Sequence, residues 1–174
     1  MPSTPTTGST VRDATPGDFP AILELNLASV SFLSPLCLQG LEELHAQAWY
    51  HRVAGRAGRP EAFLLALAAG ADYDSPNYCW FAQRHDDFVY VDRIVVSAAA
   101  RQARLASALY EDLLARARAA GMARVCCEYD VEPPNEASRR FHDRFGFVEV
   151  GTQRVGPQGK RVSLQQCLLG AARG

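Results

Sequence analysis

The chain has 174 residues, 48% of them hydrophobic and 21% charged, and its formal net charge at pH 7 is -1. The apolar content excludes a chain that is disordered throughout, and the balanced charge excludes the broad basic surface that nucleic-acid binding requires. The five cysteines form no CxxC pair and the four histidines form no HExxH motif, so we predict neither a disulfide scaffold nor a metal site.

The N-terminal residues and the apolar runs of the sequence predict the cellular compartment. Residues 1–10, MPSTPTTGST, are almost all Pro, Ser, Thr or Gly, and we predict a disordered tail there, followed by one domain over 11–170. The tail lacks the apolar segment of a signal peptide. The longest apolar run, Ala62–Ala71, is too short to span a bilayer. We therefore expect a cytoplasmic protein with free thiols and no membrane partner.

The first half of the chain has the apolar spacing of two helices and three short strands. In chain order these are a strand over 11–14, helices over 15–27 and 38–48, and strands over 49–53 and 63–69. The next segment, residues 71–87 (ADYDSPNYCWFAQRHDD), is polar and is predicted to be a long loop.

The second half gives clearer patterns. It predicts a β-branched strand over 88–96, a helix over 103–120, a strand over 124–129, a helix over 136–145, and strands over 147–150 and 161–169. A strand, helix and strand in succession favour a parallel pair with a right-handed crossover, whereas the closing hairpin favours antiparallel pairing. The fold class predicted is therefore α/β (α+β), with a central mixed, mostly antiparallel sheet flanked by helices.

Two short motifs contain candidate residues for ligand binding and catalysis. Residues 101–106, RQARLA, lie where the long strand gives way to a helix, and the free N–H groups of a helix start together with Arg101 and Arg104 favour an anion such as a pyrophosphate. Taken alone, this stretch is more typical of a solvated helix start with two surface arginines. The second motif, residues 135–147 (NEASRRFHDRFGF), is a helix with Asn at its start and Gly at its end.

In this order and at this separation, the two motifs resemble those of the GNAT superfamily of acyl-CoA-dependent N-acetyltransferases, R/Q-x-x-G-x-G/A and N-x-x-A-x-x-F-Y-x-x-x-G-F. Arg104 stands where the family has Gly, and His142 stands where it has Tyr. Residues 74–81, DSPNYCWF, resemble the D-S-P-N-Y-x-W-F loop of a subgroup of predicted acetyltransferases.

The resemblance implies a single GNAT-like domain in which the cofactor-binding helix joins the two parallel strands. It implies acetyl-CoA as co-substrate, no metal, and transfer of the acetyl group to a primary amine of a small molecule or peptide. Family members are often homodimers, so a homodimer is a further expectation. Two alternatives stay open at this point: a CoA-binding regulatory module without efficient turnover, and a plain nucleotide-binding α/β domain.

The resemblance also assigns candidate site residues. Those implied to bind the cofactor are Ile94, Val95, Val96, Arg101, Gln102, Ala103, Arg104, Leu105, Ala106, Ser107 and Asn135. His142 is implied to protonate the leaving thiolate, and Asp92 and Glu128, on the two predicted central strands, are the candidates for the base that deprotonates the amine. Tyr78, Trp80 and Tyr90 are candidates for acceptor binding, although core packing would also explain them.

Acidic residues are in excess between 72 and 92. They are Asp72, Asp74, Asp86, Asp87 and Asp92, against Arg84 as the single cation. Such a field attracts positively charged ligands, so the sequence predicts a cationic acceptor; a solvated acidic loop is the alternative.

Overall fold

A computed structural model describes residues 10–31, 33–56 and 58–170. The strands are β1 (Thr10–Asp13), β2 (Tyr50–Gly55), β3 (Ala62–Ala68), β4 (Val89–Val96), β5 (Arg124–Glu132), β6 (Val148–Val155) and β7 (Lys160–Leu168). The helices are α1 (Phe19–Leu27), α2 (Leu38–Gln47), α3 (Pro76–Ala82), α4 (Leu105–Ala119) and α5 (Glu136–Arg144), with 3-10 turns at Pro16–Asp18 and Ala98–Ala103. Of the predicted tail over 1–10, residues 1–9 lie outside the described residues and Thr10 opens β1.

The strands form one mixed sheet in the order β1-β2-β3-β4-β5-β7-β6. The parallel pair is β4 with β5, and it is short, with Val89 opposite Val125 and Tyr90 opposite Cys126. The pairs β1 with β2, β5 with β7 and β6 with β7 are antiparallel. The predicted α/β (α+β) fold, with a mixed sheet and one parallel pair joined by a helix, is therefore confirmed.

The chain divides into two compact units, whose boundaries fall within β3, β4 and α4. The first unit comprises 1–65 and 93–113, and the second comprises 66–92 and 114–174. Among the described residues, no helix is long and apolar enough to cross a lipid bilayer.

The first unit has a buried apolar core, and an ion pair joins two segments at its edge. Ile22, Leu41 and Leu109 are completely buried. Arg12 donates two hydrogen bonds of 2.7 Å to the Asp18 carboxylate, which fastens β1 to the first 3-10 turn. This paired guanidinium lowers the pKa of Asp18 well below its usual range.

The second unit has an aromatic core that includes an unpredicted helix. Residues 71–87 were expected to be a loop, and that expectation was wrong in its middle, because Pro76–Ala82 forms α3. Pro76 occupies the first turn, where a missing N–H costs nothing. Tyr78 and Phe81, three residues apart and therefore on one face of the helix, are buried against Phe88 and Tyr90. Tyr78 and Phe81 of the predicted loop thus form part of the core.

Two strands extend beyond the predicted ends. β5 was expected over 124–129 and reaches Glu132, while β6 was expected over 147–150 and reaches Val155. Both extensions pair with β7, whose antiparallel ladder supplies partners for residues that have weak strand propensity in the sequence.

Candidate functional site

The predicted cofactor loop lies in the first unit, at the start of α4. Leu105 is buried and anchors the helix start, whereas Arg101 and Arg104 are exposed. Ala108 N donates to Arg104 O at 3.0 Å and closes the first turn, so the N–H groups of the residues between them have no partner within the helix. Free N–H groups beside two exposed guanidinium groups are a donor set that suits a pyrophosphate.

Arg104 has a left-handed backbone, with φ of 56° and ψ of 24°. This conformation costs an L-residue about 1 kcal/mol or more relative to the right-handed region, and glycine adopts it freely. Arg104 therefore adopts a backbone conformation that glycine tolerates best, at the position where the R/Q-x-x-G-x-G/A motif has glycine, and adds a cation at that point.

A cavity of about 380 Å³ opens next to this loop within the first unit. Its lining includes Val96, Ser97 and Arg101 from the end of β4 and the following turn, and Glu24 and Leu25 from α1. Arg59 also lines it and forms an ion pair of 3.3 Å with Glu24. The predicted cofactor residues Val96 and Arg101 thus border a space large enough for a small ligand.

Polar side chains in the second unit converge on Glu128. Tyr90 Oη donates to Glu128 Oε2 at 2.8 Å, and the nearby Asn77 side chain favours the ionised form of this carboxyl group and so lowers its pKa. Asn77 Oδ1 in turn accepts from Gln153 Nε2 at 2.5 Å. We call Glu128, Tyr90, Asn77 and Gln153 the Glu128 cluster.

Burial raises the pKa of Glu128 to about 7. The neighbouring Asp92 and Asp130 carboxylates act in the same direction, while the Tyr90 hydrogen bond and the Asn77 side chain oppose the shift because they stabilise the anion. A carboxyl group that titrates near neutral pH accepts a proton efficiently under physiological conditions.

Asp92, the other predicted base, lies on β4 and accepts a short hydrogen bond from Tyr73 Oη. It is only partly buried. The sequence placed Asp92 on the same strand face as Tyr90 and Glu128 on the adjacent strand, and the structure brings Tyr90 and Glu128 into direct contact. Glu128 combines a pKa raised to about 7 with the Tyr90 donor, which makes it the stronger candidate for the base.

His142 lies on α5 and is only 4% exposed. Its Nδ1 is 2.8 Å from Ser138 O, and since a carbonyl only accepts, Nδ1 carries the proton of the neutral ring. The ring stacks on Tyr129 with a centroid distance of 5.7 Å. Burial lowers the pKa of His142. In the neutral ring Nε2 is therefore an acceptor, and donation from Nε2 requires an additional proton.

The remaining predicted residues have structural contacts of their own. Tyr78 Oη donates to Ala68 O at 2.8 Å and accepts from Ala71 N at 2.9 Å. Asn135 caps α5, and its Oδ1 accepts from Ser138 N at 3.1 Å. Trp80 is partly exposed, with the Arg84 guanidinium 3.9 Å from its ring centroid. Their binding roles stay predictions.

Two contributors to the polar contacts of the second unit, Asn77 and Gln153, were not predicted from the sequence. Asn77 belongs to the DSPNYCWF segment, but nothing in that segment indicated its contact with Gln153. Gln153 lies on β6 beyond the predicted end of that strand, and 76 positions along the chain from Asn77. No local sequence pattern reports such a pairing.

The sequence matches one family model. That model is described as the acetyltransferase (GNAT) family and covers residues 43–147, more than half of the chain. Among curated proteins, none matches the sequence.

Solved structures share the fold. Ard1 from Thermoplasma volcanium has a TM-score of 0.77 at 17% identity, covering 93% of this chain and 98% of its own. A ribosomal-protein-alanine N-acetyltransferase from Brucella melitensis has a TM-score of 0.69 at 22% identity, covering 92% and 99%. The protein yncA from Salmonella typhimurium, solved with its cofactor acetyl-CoA, has a TM-score of 0.68 at 18% identity, covering 95% and 96%. At these identities the likeness establishes the fold.

Proposed function

The chain belongs to the acetyltransferase (GNAT) family, and on that premise we propose that it transfers an acetyl group from acetyl-CoA to the primary amine of a small molecule or peptide. The observation that carries the proposal is the Glu128 carboxyl group, which accepts a hydrogen bond of 2.8 Å from Tyr90 and whose pKa burial raises to about 7. An amine attacks only in its neutral form, so a base with this pKa is what the reaction needs at neutral pH.

Acetyl-CoA fits the donor set of the first unit. When bound, it supplies the acetyl group as an activated thioester. The N–H groups at the start of α4, with Arg101 and Arg104, would hold its pyrophosphate. The backbone of Ile94–Val96 would donate to the acetyl carbonyl oxygen, where negative charge develops.

Within this proposal Glu128 takes the proton that the amine loses, and Tyr90 keeps its carboxylate oriented. Asp92 is a second acidic group on the same strand as Tyr90, held by Tyr73. His142, with its proton on Nδ1 and a lowered pKa, would donate from Nε2 only as imidazolium. Its proposed role as the acid is therefore confined to low pH, and near and above neutral pH water protonates the departing thiolate.

The proposed acceptor is cationic. Asp72, Asp74, Asp86 and Asp87 are exposed in the second unit. An exposed cluster of this sign concentrates cations at its surface, and the effect weakens as salt shortens the Debye length below about 10 Å.

The test is release of free CoA thiol from acetyl-CoA, measured with a panel of cationic, neutral and anionic amines and without any amine. The proposal predicts amine-dependent release with mass-verified acetylation of the amine, fastest for cationic acceptors at low salt. Tight acetyl-CoA binding without release for any amine would instead identify a CoA-binding regulatory module. A preference for anionic amines would overturn the acceptor class alone.

A further inference from the structure

Two histidine rings of the first unit face each other across a hydrogen bond. His45 lies in the last turn of α2 and His51 lies on β2, and their Nδ1 atoms are 2.8 Å apart. At this distance one ring donates and the other accepts. We call His45 and His51 the histidine pair. Its bond joins the C-terminal end of α2 to the sheet, and the proposed chemistry of Glu128 makes no use of it.

The surroundings of His51 are apolar. The residue is only 8% exposed. Its ring stacks on Phe19 of α1 with a centroid distance of 6.4 Å and meets Phe63 of β3 edge-on at 6.3 Å. The Nε2 atom of His51 is buried and has no hydrogen-bond partner among the residues that the structure describes. A charged ring, or an N–H group at Nε2, is therefore costly at this position.

This burial decides which ring of the pair donates. If His51 accepted at Nδ1, its own proton would lie on Nε2 as a buried N–H group without an acceptor. The less costly arrangement has the proton on His51 Nδ1, donated to His45 Nδ1, and leaves only a lone pair at His51 Nε2. His45 is only partly buried, and it then carries its proton on Nε2. The neutral pair therefore has one defined set of tautomers.

Any added proton disturbs this arrangement. A proton on His45 Nδ1 puts two N–H groups face to face, and the bond then survives only if His51 moves its proton to the buried Nε2. A proton on His51 Nε2 instead places a cation between Phe19 and Phe63. Burial, reinforced by charge on His45, accordingly lowers the pKa of His51 to about 4.

The charged groups near His51 do not compensate for the added proton. Asp18, in the 3-10 turn that precedes α1, favours the cation, but its effect is weaker than burial and repulsion from His45. The Asp18 carboxylate already accepts two hydrogen bonds of 2.7 Å from Arg12 on β1. The rings that pack on His51 from α1 and β3 carry no charge. Acid therefore acts in one direction, toward loss of the contact.

We propose that the histidine pair is a pH-sensitive switch: the neutral pair holds the C-terminal end of α2 on β2, and proton uptake releases that end. The proposal does not rest on the proposed function, because it involves neither acetyl-CoA nor Glu128. Leu41 and Leu44 of α2 are buried in the core, so we expect the last turn to open locally while the first unit stays folded.

The sign of the effect follows from the lowered pKa. An exposed histidine has a pKa of 6.5, so between about pH 4 and 6.5 the released form of His51 binds the extra proton. The stability that the closed contact contributes is present above pH 6.5 and is lost as pH falls through this range. Between pH 7 and 5 the equilibrium constant for release should rise up to tenfold per unit below 6.5, or roughly 30-fold in all.

The test is amide hydrogen exchange in the last turn of α2, followed by NMR between pH 7 and 5 and corrected for the intrinsic exchange rate. Protection in the wild-type protein should fall roughly 30-fold. His51→Phe keeps an aromatic ring and takes no proton, so its protection should fall less than about threefold. Gln39→Ala, which removes an exposed amide at the other end of α2, is the matched control and should keep the full fall.

A second variant covers the case in which His51→Phe does not fold. His45→Gln keeps an acceptor for His51 Nδ1 and removes the repulsion between the two rings, so its protection should fall by an intermediate amount. An equal fall in the wild-type protein and in whichever of the two histidine variants folds overturns the proposal.

Nitrogen NMR of the imidazole rings at pH 8 adds a result that packing alone does not produce. The proposal expects the proton of His51 on Nδ1 and that of His45 on Nε2, with the signals assigned from the two histidine variants. A proton on His51 Nε2 in the wild-type protein overturns the proposal, because the neutral pair would then already contain the buried N–H group that acid is proposed to create.

Discussion

The cofactor loop and the Glu128 cluster are built by different means. At the loop, the groups suited to bind phosphate are backbone N–H groups, aided by two exposed arginines. At the Glu128 cluster, every contact comes from a side chain: a phenol, two amides and a carboxyl group brought from α3, β4, β5 and β6. A backbone site tolerates changes of side chain, whereas a side-chain network fails when one member is lost.

Arg104 illustrates the tolerance of the loop. Arginine stands where the family motif has glycine, and it adopts the left-handed backbone that glycine tolerates best. The Glu128 cluster tolerates substitution less well, because the pKa of its carboxyl group depends on which atoms face it. Substitutions should therefore separate binding at the loop from chemistry at the cluster.

The largest effect is expected from Glu128→Gln. The amide keeps the shape of the side chain but cannot accept the amine's proton, so kcat/KM should fall roughly 10²-fold or more. The affinity for acetyl-CoA, measured by calorimetry, should stay within about twofold. Full activity in this variant would remove Glu128 from the mechanism.

The double variant Arg101→Ala with Arg104→Ala should show the reverse pattern. Each exposed charge-assisted contact contributes about 1 kcal/mol, so the Kd for acetyl-CoA should rise roughly 10- to 30-fold. At saturating acetyl-CoA, kcat should change little. Arg118→Ala, near the other end of α4, is the matched control and should leave the Kd unchanged. Equal Kd values in all these proteins would move the phosphate site elsewhere.

Glu128→Gln should also change how stability depends on pH. The folded-state pKa of Glu128 is about 7, above the ordinary 4.5, so the folded state binds the extra proton between these values. Stability from this group is present at pH below about 4.5 and is lost as pH rises through 7. The variant should thus gain about 1 to 3 kcal/mol over wild type at pH 8 relative to their difference at pH 4, measured by urea unfolding. A constant difference between the two proteins would contradict the raised pKa.

The smallest effect is expected from Arg104→Gly. Glycine relieves the left-handed strain but is more flexible in the unfolded chain, so the net gain in unfolding free energy should be below about 1 kcal/mol. The corresponding glycine substitution, Arg101→Gly, lies where the backbone is in a 3-10 turn and offers a comparison without that relief. A loss of stability in Arg104→Gly would show that the arginine side chain contributes contacts that outweigh the strain.

Sequence patterns predicted the order of most elements because each pattern depends on residues that are close together in the chain. The β-branched run at 88–96, the apolar stripe of α4 and the Asn135 and Gly146 boundaries of α5 each report structure within a few residues. The same locality explains the error at α3. There polar residues surround the aromatic ones, so the helical spacing of Tyr78 and Phe81 did not stand out. The burial of these two residues also depends on strands elsewhere in the chain.

The two parts of the candidate site differ in the same way in how far the sequence predicts them. The loop at 101–107 was predictable because a strand, a turn and a helix start are consecutive in sequence. Glu128 could be named from its strand, but its raised pKa depends on burial and on Tyr90, which is 38 positions away and meets it only through folding. The sequence showed only that Arg104 departs from the motif, and its left-handed conformation became known from its φ in the structure.

The most direct measurement is the pH dependence of kcat/KM between pH 5.5 and 9, with an acceptor whose amino group is already neutral above pH 6. The acceptor's own titration then does not interfere, and the affinity for acetyl-CoA is followed in parallel. With Glu128 as the base, kcat/KM should rise about tenfold per pH unit up to about pH 7 and then level off, while the Kd for acetyl-CoA stays flat across that range. A rate that does not change between pH 6 and 8, or one whose rise persists unaltered in Glu128→Gln, would contradict the assignment of Glu128 as the base.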